Sequence, residues 1–451
     1  MQSLDILRDL IQIDTQNPPG NEAPAVEYVE ALCREAGLEY ETRTYDGNRA
    51  NILVRLAPDR DDRLIILGHL DVVKADSAAW DHEPFAAEID DGYLYGRGAL
   101  DMKYFVAVAL AVLIELKPEE HRLERGITCV FAADEENGGV YGLSRLLEEP
   151  GIRDELSGRT VLNEGGGFAW EHGGRWYSLV ETGQKSVCRL KVTVPELAGS
   201  SPYFPTLEHE SILARAVAAV SSVELDDRTP QTVSRLLERV GGAGAADAYA
   251  GTEGAVVGPD PNDAAARAAF LGDPFFSKLL DAMTRSMVTP TIVRGGSRNP
   301  ELPRGVKGEA TFDCRLLPSV GEETFLDAVR AALADLPVEL EVLSFSAGYE
   351  TEFSNPIIGM AEAALQRHDS RIEACVPFLT PGANDGRYLR PLGCDVLGFA
   401  PLSTSQPFGE VITAIHGVDE RISLESVSFC TDVMRDLCRS YVMRKDTHVR
   451  E

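Results

Sequence analysis

The chain has 451 residues, of which 44% are hydrophobic and 25% are charged. That length predicts two or three domains, and the composition is typical of a soluble globular protein with a buried core. Seventy-two acidic against 43 basic side chains give a formal net charge of −29 at pH 7. A charge this negative argues against nucleic acid or an anionic membrane surface as the main partner, although a local positive pocket remains compatible with it.

Neither a signal peptide nor a membrane span is expected. The segment 1–20 carries acidic residues early and lacks the basic-then-apolar pattern of a secretory signal. No apolar run reaches the length that a bilayer requires. The eight cysteines are scattered without CxxC pairs, as free thiols in a reducing compartment are. We therefore expect a cytoplasmic protein.

Helix and strand patterns alternate in the first part of the chain. Helices are predicted over 4–11 and 23–36, and the long apolar segment 102–117 predicts a buried helix. Short apolar runs predict three buried strands, over 63–73, 127–136 and 159–166. Strands separated by helices predict an α/β domain with a mostly parallel sheet covered on both faces.

The pattern changes beyond residue 185. The order over 186–348 is strand, helix, strand, strand, helix, strand, which is the ferredoxin-like α+β arrangement. Segment 224–288 is predicted to be an insertion within it, with a helix over 262–286. Alternating patterns resume afterwards, so the predicted domains are 1–185 and 349–451 together, with 186–348 inserted between them.

Acidic and imidazole side chains follow each predicted strand of the first part. His69 and Asp71 follow the first strand, Glu135 and Glu136 follow the second, and Glu164 follows the third. Sites in open α/β sheets form outside the carboxyl ends of the strands, so these side chains are expected to converge. Taken singly, a histidine after a strand is more often structural, and paired glutamates are more often on the surface.

Two further residues complete the candidate set. Asp101 stands at the start of the apolar helix, where helix capping alone would explain it, and His416 lies late in the chain. Their occurrence together with the strand-end residues favours one metal site. Imidazoles and carboxylates form a nitrogen and oxygen donor set that suits Zn²⁺, Co²⁺ or Mn²⁺.

Several motifs resemble those of one metallopeptidase family, which contains glutamate carboxypeptidases, aminoacylases, carnosine-type dipeptidases and succinyl-diaminopimelate desuccinylase. They occur in the family order along nearly the whole chain. The motifs are GHLDVV (68–73), WDHEPFAAEIDDGYLYGRGALDMK (80–103), AADEENGG (132–139), NEGGG (163–167), PGANDGRYLR (381–390) and IHGVDERI (415–422). The resemblance implies a phosphorylase/hydrolase-like catalytic domain and an inserted lid or dimerisation domain, with a possible homodimer.

The resemblance also implies a ligand set for two divalent ions, most often zinc. Asp101 would bridge the two ions. His69 and Glu164 would complete one site, and Glu136 and His416 the other. Ions bridged in this way share a water molecule. The peptide bond after Asp101 is expected to be cis.

Four residues would act on the water or the substrate. Glu135 would be the general base for the bridging water, and Asp71 would accept the second imidazole N–H of the first histidine ligand. Arg387 matches the family arginine that binds the substrate carboxylate, and Asn299 matches an asparagine that lies near the substrate.

The chain departs from the family at one position. Ser200 or Ser201 stands where many members carry a histidine that stabilises the tetrahedral intermediate. His209 is out of register, and we expect it on the surface at the start of a helix.

The function that these observations favour is a metal-dependent hydrolase. Its substrate would be a peptide or an N-acyl amino acid, cleaved at an amide next to a free carboxylate, as by a carboxypeptidase, dipeptidase or deacylase. Two alternatives stay open. One is a catalytically inactive protein of the same fold that still binds metal, and the other is a di-zinc aminopeptidase that recognises a free N-terminus.

Overall fold

A computed structural model describes residues 2–196, 208–225, 228–241, 274–296 and 299–443. The chain divides into two compact units. The first comprises Met1–Thr182, Thr351–Phe378 and Asn384–Glu451, and the second comprises Gly183–Glu350 and Leu379–Ala383. Within the described residues, none of the helices combines the length and apolarity needed to span a bilayer.

The strands of the described residues are β1 Glu39–Tyr45, β2 Arg49–Leu56, β3 Arg63–His69, β4 Ile89–Asp90, β5 Tyr93–Tyr95, β6 Gly126–Ala132, β7 Thr160–Asn163, β8 Phe168–His172, β9 Arg175–Gln184, β10 Ser186–Pro195, β11 Met287–Gly295, β12 Val306–Leu316, β13 Glu339–Ser346, β14 Tyr349–Glu350, β15 Ile372–Thr380, β16 Asp395–Gly398 and β17 Arg421–Ser423. The α-helices of these residues are Ser3–Gln12, Ala23–Ala36, Lys103–Leu116, Leu143–Leu146, Pro150–Leu156, Glu208–Ser221, Gln231–Gly241, Pro274–Thr284, Glu322–Leu333, Pro356–His368, Gly386–Leu389, Phe408–Ala414 and Leu424–Val442.

The first unit is built on a mixed sheet whose central strands are parallel. Its order is β1-β2-β6-β3-β7-β16-β9, and β6, β3, β7 and β16 run parallel to one another. The β1–β2 pair and β9 add antiparallel strands at either side. The strands β2 and β6 are buried along their whole length, because helices cover this sheet. The predicted α/β class with a mostly parallel sheet is confirmed.

The helix Lys103–Leu116 lies at the centre of this unit. Twelve of its fourteen residues are buried, from Lys103 through Leu113 and again at Leu116. A helix that is apolar on all sides must be covered on all sides. It packs against the helices Ser3–Gln12 and Leu424–Val442, so that the first and last helices of the unit share one core.

The second unit contains an antiparallel sheet of four strands in the order β11-β12-β10-β13. The inward side chains of β10 and β12 alternate with partly exposed ones, and the helices Glu208–Ser221 and Glu322–Leu333 pack in this unit. This is the predicted ferredoxin-like arrangement. Between its first helix and β11 the structure describes the helices Gln231–Gly241 and Pro274–Thr284. Residues 242–273, which include part of the helix predicted over 262–286, lie outside the described residues.

Candidate metal centre

The parallel strands bring three acidic or imidazole segments to one edge of the sheet. His69 is the last residue of β3 and is in register with Ala132 at the end of β6. The chain then turns through Asp134, whose backbone is left-handed (φ 69°), into a 3-10 helix that begins at Glu135. The strand β7 ends immediately before Glu164. Adjacent parallel strands end side by side, so these side chains converge as the sequence predicted.

Asp101 and His416 join this group from elsewhere in the unit. Asp101 Oδ1 lies 3.1 Å from His69 Nε2, and Asp101 Oδ2 lies 3.0 Å from His416 Nε2. His416 Nε2 also lies 3.1 Å from Glu136 Oε2, and Glu164 Oε2 lies 3.5 Å from His69 Nε2. Asp101 therefore stands between the two imidazoles. The peptide bond after Asp101 is cis, as the resemblance implied.

Two triplets of residues could each hold a metal ion, because the ligand atoms within each triplet lie within 4.8 Å of one another. The triplets are His69, Asp101 and Glu136, and His69, Glu135 and Glu164. The second triplet contains Glu135, to which the family resemblance assigned proton transfer. Glu135 is thus as close to the His69–Glu164 pair as a ligand would be.

The crowding of carboxylates perturbs the acid–base properties of the group. Burial and the neighbouring charge of Asp101 raise the pKa of Glu164 to about 8, although His69 opposes the shift. Burial and the charge of Glu164 raise the pKa of Glu135 well above its usual range. Hydrogen bonds to Asp101 and Glu136 raise the pKa of His416 to about 10. Several carboxyl groups are thus so close together that they resist ionising at the same time in the absence of a compensating positive charge.

Asp71 lies beside His69 Nδ1, and its role as acceptor of the imidazole N–H through its carboxylate stays a prediction. The closest acceptor for His69 Nδ1 is the backbone oxygen of Asp71 at 2.9 Å, whereas the carboxylate oxygen Oδ1 is 3.6 Å away. The Asp71 carboxylate accepts the backbone N–H groups of Glu135 (3.1 Å) and Glu136 (3.2 Å). Residue 71 thus orients the imidazole through its main chain and the glutamate turn through its side chain, because the turn presents two N–H groups towards it.

Arg387 lies beside Glu135. It belongs to the short helix Gly386–Leu389, and its side chain is only 9% exposed. Its Nη1 atom is 4.0 Å from Glu135 Oε1, and its Nη2 atom is 3.7 Å from Asp385 Oδ1. The guanidinium also lies over the ring of Tyr388, 4.8 Å from its centroid. A cationic group is thus held next to the candidate base.

The remaining predicted residues belong to the second unit. Asn299 Oδ1 accepts the backbone N–H of Glu301 at 3.0 Å, which is a turn contact, and its role near the substrate stays a prediction. Ser200 and Ser201 lie outside the described residues. His209 is near the start of the helix Glu208–Ser221, as expected, but it is buried (5% exposed). The prediction of a surface position was wrong, because His209 lies on the inward side of the helix, whereas Glu210 and Ser211 beside it are exposed.

Sequence analysis missed a buried ion pair that supports Asp101 and His416. Glu420 is fully buried and accepts N–H groups of the turn from Gly98 to Asp101, including Asp101 N at 3.0 Å. Arg97 Nη1 donates to Glu420 at 2.6 Å, and its Nη2 donates to Gly417 O at 2.9 Å. The Arg97–Glu420 pair therefore ties the Asp101 turn to the His416 loop. Both residues stand inside recognised motifs, GRGALDMK and IHGVDERI, which was the available signal.

Comparison with known proteins agrees with this arrangement. Residues 65–440 match the peptidase family M20/M25/M40. The chain belongs to this family. The resemblance recognised in the motifs is confirmed.

Among similar proteins, N-fatty-acyl-amino acid synthase/hydrolase PM20D1 of Xenopus tropicalis is 28% identical over 379 residues, which cover 80% of this chain and 69% of that protein. Aminoacylase-1 of Homo sapiens is 25% identical over 429 residues, which cover 93% of this chain and 90% of that protein. The crystal structure of the M20 family metallo-carboxypeptidase Sso-CP2 from Sulfolobus solfataricus superposes with a TM-score of 0.72 at 16% identity, over 98% of this chain and 100% of that one. At this identity the structural likeness concerns the fold alone.

The side chains of this M20 chain fit a pair of divalent cations. Two imidazole nitrogens and the oxygens of several carboxylates converge, which is the donor set of zinc, cobalt or manganese sites. The carboxylate oxygens within each triplet lie within 4.8 Å of one another, so their negative charges would repel strongly, and positive charge among them offsets the repulsion. The raised pKa of Glu164 has its cause in that burial and repulsion.

Proposed function

We propose that this M20 family member is a metal-dependent hydrolase that cleaves an amide bond adjacent to a free carboxylate. Its substrates would be peptides or N-acyl amino acids. The observation that carries the proposal is the position of Glu135, which belongs to a ligand triplet and also has the Arg387 guanidinium 4.0 Å from its carboxylate. A base and a carboxylate-binding group are thus neighbours in one buried site.

The ligand assignment forms part of the proposal. His69 and Glu164 would hold one ion, Glu136 and His416 the other, with Asp101 shared between them. The contacts of Asp101 with both imidazoles support this division. When bound, the ions would polarise the amide carbonyl and make water more acidic.

Glu135 would move the proton. One carboxylate oxygen would accept a proton from the attacking water, and the same oxygen would then give it to the departing amide nitrogen. The water oxygen forms a bond to the carbonyl carbon, and the carbon–nitrogen bond breaks. Asp71 positions the backbone that carries Glu135, because its carboxylate accepts the backbone N–H groups of Glu135 and Glu136.

Arg387 would select the substrate. A guanidinium binds a carboxylate through two parallel hydrogen bonds, and the low exposure of this one strengthens them. Because Arg387 is next to Glu135, a carboxylate bound there would place the adjacent amide beside the base. The proposal therefore favours cleavage next to a free carboxylate over cleavage after a free N-terminus. The similarity to proteins named aminoacylase-1 and N-fatty-acyl-amino acid synthase/hydrolase supports an N-acyl amino acid as substrate.

The test is hydrolysis of a panel of N-acyl amino acids and dipeptides by the zinc-, cobalt- or manganese-loaded protein. Glu135→Gln should lower kcat by about 10³-fold or more while the bound metal content stays at the wild-type value. The control is Glu148→Gln, which changes an exposed glutamate and should leave both quantities unchanged. Full activity after exhaustive metal removal would refute the proposal.

The same panel separates the alternatives. A catalytically inactive family member would bind metal but hydrolyse nothing, so Glu135→Gln would have no rate to lower. An aminopeptidase would cleave a dipeptide with a blocked C-terminus and spare one with a blocked N-terminus, whereas the proposed enzyme does the reverse.

We propose in addition that the second unit forms a homodimer. Its edge strands β11 and β13 carry exposed apolar side chains, at Ile292, Val293, Val342 and Leu343. Exposed apolar edges are prone to pair with another chain. The test compares the molecular mass of the wild type and of Val293→Lys by sedimentation. The wild type should be a dimer and the variant a monomer, and a wild-type monomer at micromolar concentration would refute the proposal.

A further inference from the structure

We propose that Arg49 is a positioning residue for the proton-transfer group. Together with Asn17, it fixes the turn that carries Glu135 and Glu136. This inference rests on the proposed function, since it assigns to these side chains a part in the same reaction. Arg49 does not contact Glu135 directly; it contacts Asp134, the residue that precedes Glu135 in the turn.

The turn is anchored through the side chain of Asp134. Its Oδ1 atom accepts Arg49 Nη2 at 2.7 Å and Asn17 Nδ2 at 2.9 Å, and its Oδ2 atom accepts the backbone N–H of Tyr141 at 3.0 Å. Asp134 has a left-handed backbone (φ 69°), a conformation that costs free energy for a residue with a side chain. The three hydrogen bonds hold this conformation, and the direction in which the chain enters Glu135 depends on it.

Asn17 connects this anchor to the second carboxylate behind the turn. Its Nδ2 group also donates to Asp71 Oδ2 at 2.8 Å. Asp71 in turn accepts the backbone N–H groups of Glu135 and Glu136. One amide group therefore contacts both carboxylates that hold the turn, so a shift of either is transmitted to the base.

The charges of this network explain why an arginine is needed. Three buried carboxylates lie behind the turn, at Glu22, Asp71 and Asp134. Arg49 is 7% exposed and pairs directly with two of them, through Nε to Glu22 at 2.9 Å and through Nη2 to Asp134. Its Nη1 atom donates to the backbone oxygen of Pro19 at 3.0 Å. A lysine carries its three donors on a single nitrogen atom, so it cannot reach these three acceptors together as the planar guanidinium does through three nitrogen atoms.

The N-terminal segment leaves room for this guanidinium. A Cβ atom at Gly20 would lie 2.2 Å from Arg49 Cζ, and the backbone of Gly20 has φ +88°. Glycine is therefore required there both by space and by conformation. The segment NPPGN (17–21), which contains this glycine, thus accommodates the Arg49 side chain.

The test compares Arg49→Lys with Arg55→Lys. Arg55 lies on the same strand, β2, is similarly buried, and pairs with Glu155 and Glu41. Both variants disturb a buried arginine network, but only Arg49 contacts the turn. We expect Arg49→Lys to lower kcat by about 10–100-fold with KM changed less than about threefold, because a small displacement of a reacting group has effects of this size. Arg55→Lys should keep the wild-type kcat whatever its loss of stability.

A second measurement is independent of turnover. The visible absorption spectrum of the cobalt-loaded protein reports the geometry of its ligands, including Glu136. The spectrum should change in Arg49→Lys and in Asn17→Ser, and it should match the wild type in Arg55→Lys. Wild-type spectra in both Arg49→Lys and Asn17→Ser, or a kcat loss in Arg55→Lys equal to that in Arg49→Lys, would overturn the inference.

The two readouts separate this inference from the proposed function. If the wild type binds cobalt but hydrolyses none of the panel, the proposed function fails, while the spectra still decide whether Arg49 positions the turn. If Arg49→Lys does not fold, Asn17→Ser supplies the same comparison, because it removes the contact to both carboxylates and leaves the arginine in place.

Discussion

The substitution Glu420→Gln should destabilise the first unit and weaken metal binding together. The carboxylate accepts four hydrogen bonds, two on each oxygen: Leu100 N at 2.7 Å and Asp101 N at 3.0 Å on Oε1, and Arg97 Nη1 at 2.6 Å and Gly98 N at 3.2 Å on Oε2. An amide keeps one oxygen and presents an NH₂ group to the other two donors. Arg97, which is 3% exposed, loses its anionic partner.

The expected loss follows from these contacts. Removing one member of a buried ion pair costs about 3–5 kcal/mol, because the other charge stays buried without compensation. Burial raises the pKa of Glu420 even though Arg97 lowers it, which shows that burying this negative charge is unfavourable. The neutral glutamine avoids that unfavourable term, so the loss of stability is partly offset. We therefore expect a decrease of about 3 kcal/mol in the free energy of unfolding.

Urea unfolding of the metal-free protein measures this decrease, and metal titration measures the second effect. Because Glu420 holds the backbone of Asp101, the variant should bind its metal ions about 10–100-fold more weakly. Glu425→Gln, an exposed change five residues further along, is the control. An unfolding free energy within about 1 kcal/mol of the wild type, together with unchanged metal affinity, would refute the role assigned to the pair.

Three further outcomes are expected. Arg387→Lys should lower kcat/KM by about 100-fold for substrates with a free carboxylate and much less for their amides, and equal losses on both would contradict carboxylate binding. Glu22, whose pKa burial and the charge of Asp71 raise from 4.5 to about 7, holds a proton more tightly when folded, so its contribution to stability declines as the pH rises through that window. The free energy of unfolding of the metal-free wild type and of Glu22→Gln is measured at pH 5 and at pH 8. Going from pH 5 to pH 8, the difference between the two proteins should shift by up to about 3 kcal/mol in favour of the variant. A difference that is the same at both pH values would show that the pKa of Glu22 is not raised. Gly165→Ala should lower the melting temperature and metal affinity, because a Cβ there would lie 2.1 Å from Glu181 Oε2 at a φ of +85°, and a wild-type melting curve would contradict the close approach.

Much of the centre could be predicted because strand ends and motif order determine it. The apolar runs before His69, Glu136 and Glu164 are strands of a parallel sheet, and such strands deliver their following residues to one edge. Periodicity alone did not place Asp101 and His416. Their positions followed from the family motifs, since each enters the site from a loop.

The supporting residues were harder to predict, for a physical reason. Arg49 lies in a strand and Glu420 in a loop, and nothing in the local pattern distinguishes a buried charge from an exposed one. Their role depends on partners far away in the sequence, such as Asp134 for Arg49 and Gly98 for Glu420. The contacts of the Asp71 carboxylate with the backbone N–H groups of Glu135 and Glu136 also join residues that are far apart in the sequence. The cytoplasmic location stays a prediction.

The discontinuous first unit has a consequence for synthesis on the ribosome. Glu164 and the other early ligands are translated before the second unit, whereas His416 and Glu420 follow it, about 250 residues later. At about 5–20 residues per second, that delay lasts roughly 10–50 s. During this interval the nascent chain exposes an acidic, incomplete ligand set and an apolar helix, Lys103–Leu116, whose C-terminal partner has not yet been made. We expect tight metal uptake only after His416 has been made and the first unit has closed around it, and the interval before that to be when this protein most needs a chaperone.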